Sequence, residues 1–290
     1  MTTTLTRFAP SPTGLLHLGH AHSALFAAEH ADDGNFLLRI EDIDPGRCRP
    51  EFEAAIKEDL AWLGFEWQTP VRRQSEHIDD YRAALDRLQA MGLLYPCFCT
   101  RKDIQAEIAA AGHAPHDIPA QNITSGPDGF LYPGTCRHLT PSERADKLAA
   151  GEPHALRLKT NTAALQSGPL TWHDRGAGEQ QATPEIFGDA VLARKDTPTS
   201  YHLAVTFDDA IQGITLVTRG QDLFAASHLH RLLQALLGLP VPDYHHHGLI
   251  NGPDGNRLAK RDKAATIRDL REHGRSPDEV RAMAGNGDPA

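Results

Sequence analysis

No apolar run in this 290-residue chain approaches the ~18 residues that a membrane-spanning helix needs. The opening MTTTLTRFAPSPTG has no basic stretch followed by a long apolar one, so no export signal is expected and the chain reads as soluble. Cysteine is scarce. Two of the four, Cys97 and Cys99, are separated by a single residue, a spacing that suits metal binding better than a disulfide framework and fits a reducing cytoplasm. Aromatic residues reach only 6%, and there is neither an internal repeat nor a low-complexity tract, so a repeat array is excluded. Positive charge is also in deficit: 29 Lys and Arg against 38 Asp and Glu give a net charge of −9. That sum argues against a polyanionic partner only if charge is evenly spread. Residues 256–275 hold seven basic and three acidic side chains, a local +4 that leaves −13 for the rest. RNA contact is therefore expected at basic patches near this stretch and opposed elsewhere, with strong salt dependence.

What is present is ordinary globular material, with 40% hydrophobic and 23% charged residues and enough length for roughly two domains. LTRFAP is a short apolar strand stopped by Pro10 and Pro12, and SPTGLLHLGHAHSALFAAEHA reads as a Gly/Pro loop running into an Ala- and Leu-rich helix. NFLLRIEDID reads as a second strand whose end is crowded with acids. Phe52, Ile56, Leu60 and Leu63 share one helical face; Ile78, Tyr81, Leu85, Leu88 and Met91 share another. Strands alternating with helices predict an α/β protein with a parallel sheet. From Leu94 to about Arg157 the periodicity breaks down around CFC and several Pro and Gly residues, as in an insertion. It returns with DAVLARK (189–195), SYHLAVTFDDA (200–210) and ITLVTRG (214–220), where the sheet is expected to resume, and then a helix carrying Leu229, Leu232, Leu233, Leu236 and Leu237. VPDYHHHGLI leads into a Gly-rich basic loop, and one or two short helices end the chain.

RFAPSPTGLLHLGH places His17 and His20 where a strand gives way to a helix. Such a junction can bind phosphates through unpaired N–H groups and the positive end of the helix dipole. Histidines there offset developing charge, and Gly19 lets a nucleotide ring approach the backbone. With RIEDIDPGR (39–47), SYHLAV (200–205), TRGQDL (218–223) and RLAKRD (257–262), in that order, the segment resembles the signature set of the glutamyl/glutaminyl branch of class I aminoacyl-tRNA synthetases. That resemblance implies a Rossmann-type nucleotide-binding domain, its halves at residues 1–94 and 158–250. An insertion falls at 95–157, and a mobile loop with a short helical C-terminus at 251–290.

A glutamate pocket needs two cationic or strong-donor groups for the carboxylates and one anion for the ammonium. Arg7, Arg219 and Glu41 supply that count. Which arginine takes which carboxylate is open at this point. The resemblance adds Ser11, the backbone of Ala9 and the hydroxyl of Tyr201 to the glutamate site. It assigns His17, Gly19, His20 and Lys260 to ATP, with Mg²⁺ accompanying the nucleotide, and makes His17, His20 and Lys260 the groups that offset charge during adenylate formation. RLAKRD stands where the family has its "KMSKS" loop. Lys260 matches the second lysine, whereas Arg257 replaces the first and Ala259 the serine, so weaker loop closure is expected with the chemistry of Lys260 kept.

Cys97, Cys99 and Cys136 supply three thiolates for a tetrahedral structural zinc site in the insertion. The resemblance supplies Tyr132, four residues before Cys136, as the fourth ligand, while His113, His116 and His138 are chemically easier ones. AGHAPHDIPAQNITSGPDG, between Cys99 and Tyr132, reads as an exposed excursion. His245–His247 do not read as a metal site, because consecutive strand residues point to opposite faces. Cys48, alone, reads as structural. Only 28 residues follow Asp262, too few for the anticodon-binding domains of a full synthetase. Together with the C-x-C…Y-x₃-C pattern, this is most similar to the glutamyl-queuosine tRNA(Asp) synthetases. The similarity implies ATP-dependent, tRNA-independent activation of L-glutamate and its transfer to the cyclopentenediol of queuosine at the wobble position of tRNA(Asp), by a cytoplasmic monomer with no membrane partner. Two alternatives stand beside it: a split glutamyl-tRNA synthetase charging a tRNA 3′ end, and a non-catalytic glutamate- or nucleotide-binding paralogue.

Overall fold

The two apolar segments that open the chain pair in parallel, β1 (Thr6–Phe8) against β2 (Phe36–Ile40), with α1 (Leu18–Glu29) crossing between them. The computed structural model describes residues 3–111, 125–249 and 265–285. α2 (Pro50–Trp62) returns the chain to β3 (Gln68–Arg73), again parallel to β2. α2 begins with Pro50 and carries Glu51 and Glu53 in its first turn, where a missing N–H is harmless and acids meet the positive end of the dipole. α3 (Ile78–Ala90) buries Tyr81, Leu85 and Leu88, as their helical spacing predicts. Met91 departs from that expectation. Gly92, at φ +71°, ends the helix, so Met91 sits at the cap and is 38% exposed.

The chain continues through β4 (Leu94–Cys97), α4 (Arg101–Ala111), the hairpin strands β5 (Ser125–Gly126) and β6 (Gly129–Phe130), α5 (Pro141–Ala149) and β7 (Ala155–Leu158). α6 (Thr160–Ser167), β8 (Thr171–Asp174), β9 (Gly178–Gln181), β10 (Val191–Ala193) and α7 (Tyr201–Ile211) follow. β11 (Leu216–Gly220), α8 (Ala226–Leu237), β12 (Asp243–His247), α9 (Ile267–Glu272) and α10 (Pro277–Gly285) complete it. Of the three segments expected to resume the sheet, only ITLVTRG does so, as β11. SYHLAVTFDDA folds as α7, capped by the Ser200 hydroxyl, because its apolar positions at Leu203, Ala204 and Phe207 pack into the core around α3 and α8. DAVLARK supplies β10, but in a separate antiparallel sheet with β7 and β4.

β11, β12 and β8 run parallel, with β9 antiparallel at the edge. The backbone N–H groups of Thr215 and Leu216 donate to Leu5 O at 3.1 and 3.2 Å, seating β11 beside β1. The strand order is therefore β3-β2-β1-β11-β12-β8-β9, the doubly wound Rossmann-type arrangement. Its order reverses between β1 and β11, and a crevice opens at the C-terminal ends of those two strands, where such sheets bind ligands. No helix among the described residues is long and apolar enough to cross a membrane.

The C-terminal helices pack back on the first half: Ile267 of α9 and Val280 and Ala284 of α10 join Phe8, Leu16, Ile56 and Leu60 in one core. Asp59 of α2 is fully buried at this junction, with no hydrogen-bond partner for either oxygen and the Arg271 guanidinium 3.9 Å away. Burial pushes its carboxyl up to about 6, against the attraction of Arg271 and Arg268. The folded state thus holds a proton that the unfolded chain has released, so this contribution to stability is full below the ordinary value of 3.8 and is lost as pH rises through about 6. Asp59→Asn removes that loss. Thermal melts should show the variant more stable than the parent by on the order of 2 kcal/mol at pH 8, the gap closing toward pH 4. A gap independent of pH would contradict the assignment.

Candidate active site

The loop between β1 and α1 is stitched to the exit of β2. Glu41 N donates to Pro10 O at 3.1 Å and Arg49 N to Pro12 O at 3.0 Å. This places residues 9–17 over the C-terminal ends of both strands. His17 caps α1: its Nδ1 accepts from Gly19 N at 3.1 Å, and His20 Nδ1 accepts from His17 N at 3.1 Å. The histidines thus fill two helix-start donors themselves. With Nδ1 accepting, each neutral ring carries its proton on Nε2. A Cβ at Gly19 would stand 3.1 Å from His17 Cε1, so glycine is what lets the His17 ring fold against the helix start.

Behind the loop lies a charge cluster assembled from four elements. Arg7 on β1 forks onto Asp209 of α7 (2.8 and 3.2 Å) and donates to Thr218 O at 3.0 Å. Arg39 on β2, wholly buried, reaches the same Asp209 at 2.8 Å, Gln212 at 3.0 Å and Glu41 at 3.2 Å. Asp208 turns the other way, to Arg72 at 2.8 Å, Gln74 at 2.8 Å and the Tyr81 hydroxyl at 2.9 Å. Three guanidinium groups, Arg7, Arg39 and Arg72, thus meet three buried carboxylates, Glu41, Asp208 and Asp209. Burial would raise the Asp209 carboxyl, but Arg7 and Arg39 hold it below the usual range. Glu41 is raised, because burial outweighs the attraction of Arg39 and Arg7.

Arg219 on β11 stands outside this balance. It is 6% exposed, and among the described residues it forms no ion pair. Its partners are His246 Nε2 at 3.0 Å, His230 Nδ1 at 3.2 Å, the Ser227 hydroxyl at 2.6 Å and the Tyr201 hydroxyl at 3.5 Å. A buried, uncompensated guanidinium is costly unless an anion can reach it. One can: Arg219 opens onto a cavity of about 600 Å³ at the switch point. Arg7, Ala9, Ser11, His17, Gly19, His20, Glu41 and Tyr201 line the same cavity, so every candidate from the first 249 residues other than the metal set converges there.

Lys260, Arg257 and Ala259 lie outside the described residues, as do His113 and His116. Leu249 lines the cavity, and Thr266 bridges to His17 while Ile267 N donates to Leu16 O at 2.8 Å. The three consecutive histidines of β12 alternate as strand geometry demands: His245 and His247 face Phe26 of α1, whereas His246 faces Arg219 and Asp174. The sequence motifs do not point to Asp209, Arg39 or His230 as site residues, and they place His246 only within a histidine run that does not read as a metal site.

The second candidate centre is built where β4 ends. The Sγ atoms of Cys97, Cys99 and Cys136 lie within 4.8 Å of one another, a group that can hold a metal ion. The Tyr132 hydroxyl is 3.5 Å from Cys99 Sγ and accepts from Cys136 N at 2.7 Å, and the Arg157 guanidinium lies 4.0 Å from the Tyr132 ring centroid. His138 is exposed and falls outside this group. Burial pushes the Cys99 thiol up to about 11 and raises the Tyr132 phenol. Three thiols and a phenol converging in a buried site are a donor set whose deprotonation a divalent cation would favour.

Residues 3–284 match the family described as tRNA synthetases class I (E and Q), catalytic domain. The chain is 47% identical to the Glutamyl-Q tRNA(Asp) synthetase of Rhodobacter capsulatus over 287 residues, covering 97% of this chain and 99% of that one. It is 44% identical to the Symbiobacterium thermophilum protein of the same name, covering 94% and 83%. With the Glutamate–tRNA ligase of Aquifex aeolicus it shares 39% identity, covering 94% of this chain and 54% of the ligase. Among solved structures, a glutamate tRNA ligase from Elizabethkingia meningosepticum, in complex with its amino acid, superposes with a TM-score of 0.76 at 29% identity. The match covers 98% of this chain and 60% of that one, so the chain spans little more than half the length of such ligases. Signature motifs, a switch-point cavity and these matches agree that the chain belongs to the class I (E and Q) tRNA synthetase catalytic-domain family.

Proposed function

We propose that this protein is a ligase that activates L-glutamate with ATP and transfers the glutamyl group to the queuosine of tRNA(Asp). The observation that carries the glutamate half is the buried, unpaired charge of Arg219 facing a cavity it shares with Arg7 and Glu41. Arg219 takes the side-chain carboxylate, with the Tyr201 hydroxyl beside it. Arg7, whose charge is matched by Asp209, contributes its remaining N–H donors. Glu41 accepts from the α-ammonium. The α-carboxylate is thereby directed toward the start of α1, where the Nε2–H groups of His17 and His20 donate to phosphate oxygens. A glutamate carboxylate oxygen attacks the ATP α-phosphorus, pyrophosphate leaves, and a hydroxyl of the acceptor later attacks the carbonyl carbon and releases AMP. Mg²⁺ bound with ATP would neutralise phosphate charge. Lys260 is assigned to the α- and β-phosphates.

The acceptor half rests on the 47% identity with the Rhodobacter capsulatus protein. The metal held by Cys97, Cys99, Cys136 and Tyr132 is taken to be zinc, in a structural role that fixes the insertion at residues 95–157. Labelled glutamate and ATP, offered with queuosine-containing tRNA(Asp), queuosine-lacking tRNA(Asp) and tRNA(Glu), test the reading. Label is expected only on the queuosine-containing tRNA and is expected to be lost if the diol is first oxidised by periodate. Label on tRNA(Glu) alone would overturn the acceptor assignment and favour a ligase that charges a 3′ end.

A further inference from the structure

Arginine can only donate, and this fixes the protons behind Arg219. Its Nε–H reaches His246 Nε2 and its Nη1–H reaches His230 Nδ1, at 3.0 and 3.2 Å, so both ring atoms accept. His246 then carries its proton on Nδ1 and donates it to Asp174 Oδ2 at 2.7 Å. His230 carries its own on Nε2 and donates to His202 Nδ1 at 3.1 Å, and His202 donates from Nε2 to Asp128 Oδ2 at 2.9 Å. Two chains, each ending on a carboxylate, therefore lock two imidazoles in opposite tautomers against one guanidinium. Burial, reinforced by the charge of Arg219, pushes His230 well below the ordinary imidazole range and His246 down to about 4, so both are neutral at neutral pH. Neither ring lines the cavity. They stand behind Arg219.

We propose that His230 and His246 are specificity-determining positioning residues: neutral acceptors that aim Arg219 while leaving its whole charge for the carboxylate of the substrate side chain. Arg7 shows the contrast within the same cavity. It is held just as firmly, but by Asp209, and its charge is cancelled. A carboxylate behind Arg219 would orient the fork equally well and abolish the preference for an anionic side chain over its uncharged amide. The inference rests on the reading of Arg219 as the receptor for glutamate.

The test is amino-acid-dependent pyrophosphate exchange by the parent, His230→Gln, His230→Glu and Arg219→Ala, with glutamate and with glutamine. His230→Glu is expected to raise the glutamate KM about 30-fold, equivalent to about 2 kcal/mol, and to lower the glutamate-to-glutamine preference by a similar factor. His230→Gln, a neutral acceptor, should raise the glutamate KM only about 3-fold, under 1 kcal/mol. The ATP KM should not follow in either variant, and the melting temperature of His230→Glu should not fall, because it gains an ion pair. A purely structural role for His230 predicts the reverse pattern. Equal glutamate KM values for the Gln and Glu variants overturn the inference. If Arg219→Ala itself leaves the glutamate KM unchanged, the reading of the site fails instead. Should His230→Glu not fold, nitrogen-15 spectra of the parent decide: His246 must appear as the neutral Nδ1–H form and His230 as the neutral Nε2–H form. An imidazolium or the opposite tautomer at either position refutes the arrangement.

Discussion

Replacing Arg219 with alanine is expected to lower kcat/KM for glutamate in pyrophosphate exchange by about 10³-fold, a loss of about 4 kcal/mol. The size follows from burial. Arg219 is 6% exposed, so a carboxylate reaching it is desolvated on arrival. Removing the fork takes away a charge-assisted contact and leaves that carboxylate unpaired, a change that costs about 2–5 kcal/mol at comparable sites. Its side effects should be unusual for a buried arginine. With no ion pair among the described residues, Arg219 contributes desolvation cost to the ligand-free fold, so the alanine variant should melt no lower than the parent. The ATP KM should hold, because the histidines at the start of α1 belong to another part of the cavity. A loss below 10-fold, or a parallel rise in the ATP KM, would place the substrate carboxylate elsewhere. Arg7→Ala would be a poorer test of binding. It would strip Asp209 of its bidentate partner and unbalance the cluster around Arg39, mixing loss of fold with loss of affinity.

The sequence made Arg7, Arg219 and Glu41 recognisable as a count of charges, and the structure shows why a count could not assign them. Pairing across the fold decides availability. Asp209 lies 202 residues from Arg7, and nothing local to either segment links them. A signal was present in FDDAI, two acids inside an otherwise apolar helical run. Such a pair must be buried with cations or turned to solvent, and the surrounding apolar positions favour burial. The helix itself was hidden for a related reason. SYHLAVTFDDA is apolar on more than one face, and a short run of that kind does not distinguish a buried helix from a buried strand. The β1–loop–α1 junction was legible throughout, since its prolines, glycines and cap residues act over a few positions. His230 and His246 were legible only as histidines. Alternation along β12 separates His246 from its neighbours, but the aspartates that fix the tautomers come from β8 and from the β5–β6 hairpin, distant in sequence.

Zinc should copurify at one ion per chain, and Cys97→Ser or Cys136→Ser should abolish it and lower the melting temperature by about 10 °C or more, for a structural contribution of about 5 kcal/mol. Elemental analysis and thermal melts measure both effects. The packing around the three thiols would give a metal unusual leverage. Among the described residues, Phe98, Ile104 and Leu139 are the other apolar side chains packed with Cys97, Cys99, Cys136, Tyr95 and Tyr132, so the proposed ligands are themselves much of the local core. Tyr132→Phe separates ligation from packing. The ring against Arg157 is kept, and only the oxygen that lies 3.5 Å from Cys99 Sγ is lost. If the phenol is a ligand, competition with a chelator should show zinc held at least 10-fold less tightly, over 1 kcal/mol, with a smaller fall in melting temperature than the cysteine variants give. If zinc affinity is unchanged while the melting temperature still drops by a few degrees, the hydroxyl acts only as acceptor for the Cys136 N–H, and the fourth ligand must come from elsewhere. The proposal that the phenol is the fourth donor rests on one oxygen that accepts from the backbone of Cys136 and lies 3.5 Å from the sulfur of Cys99.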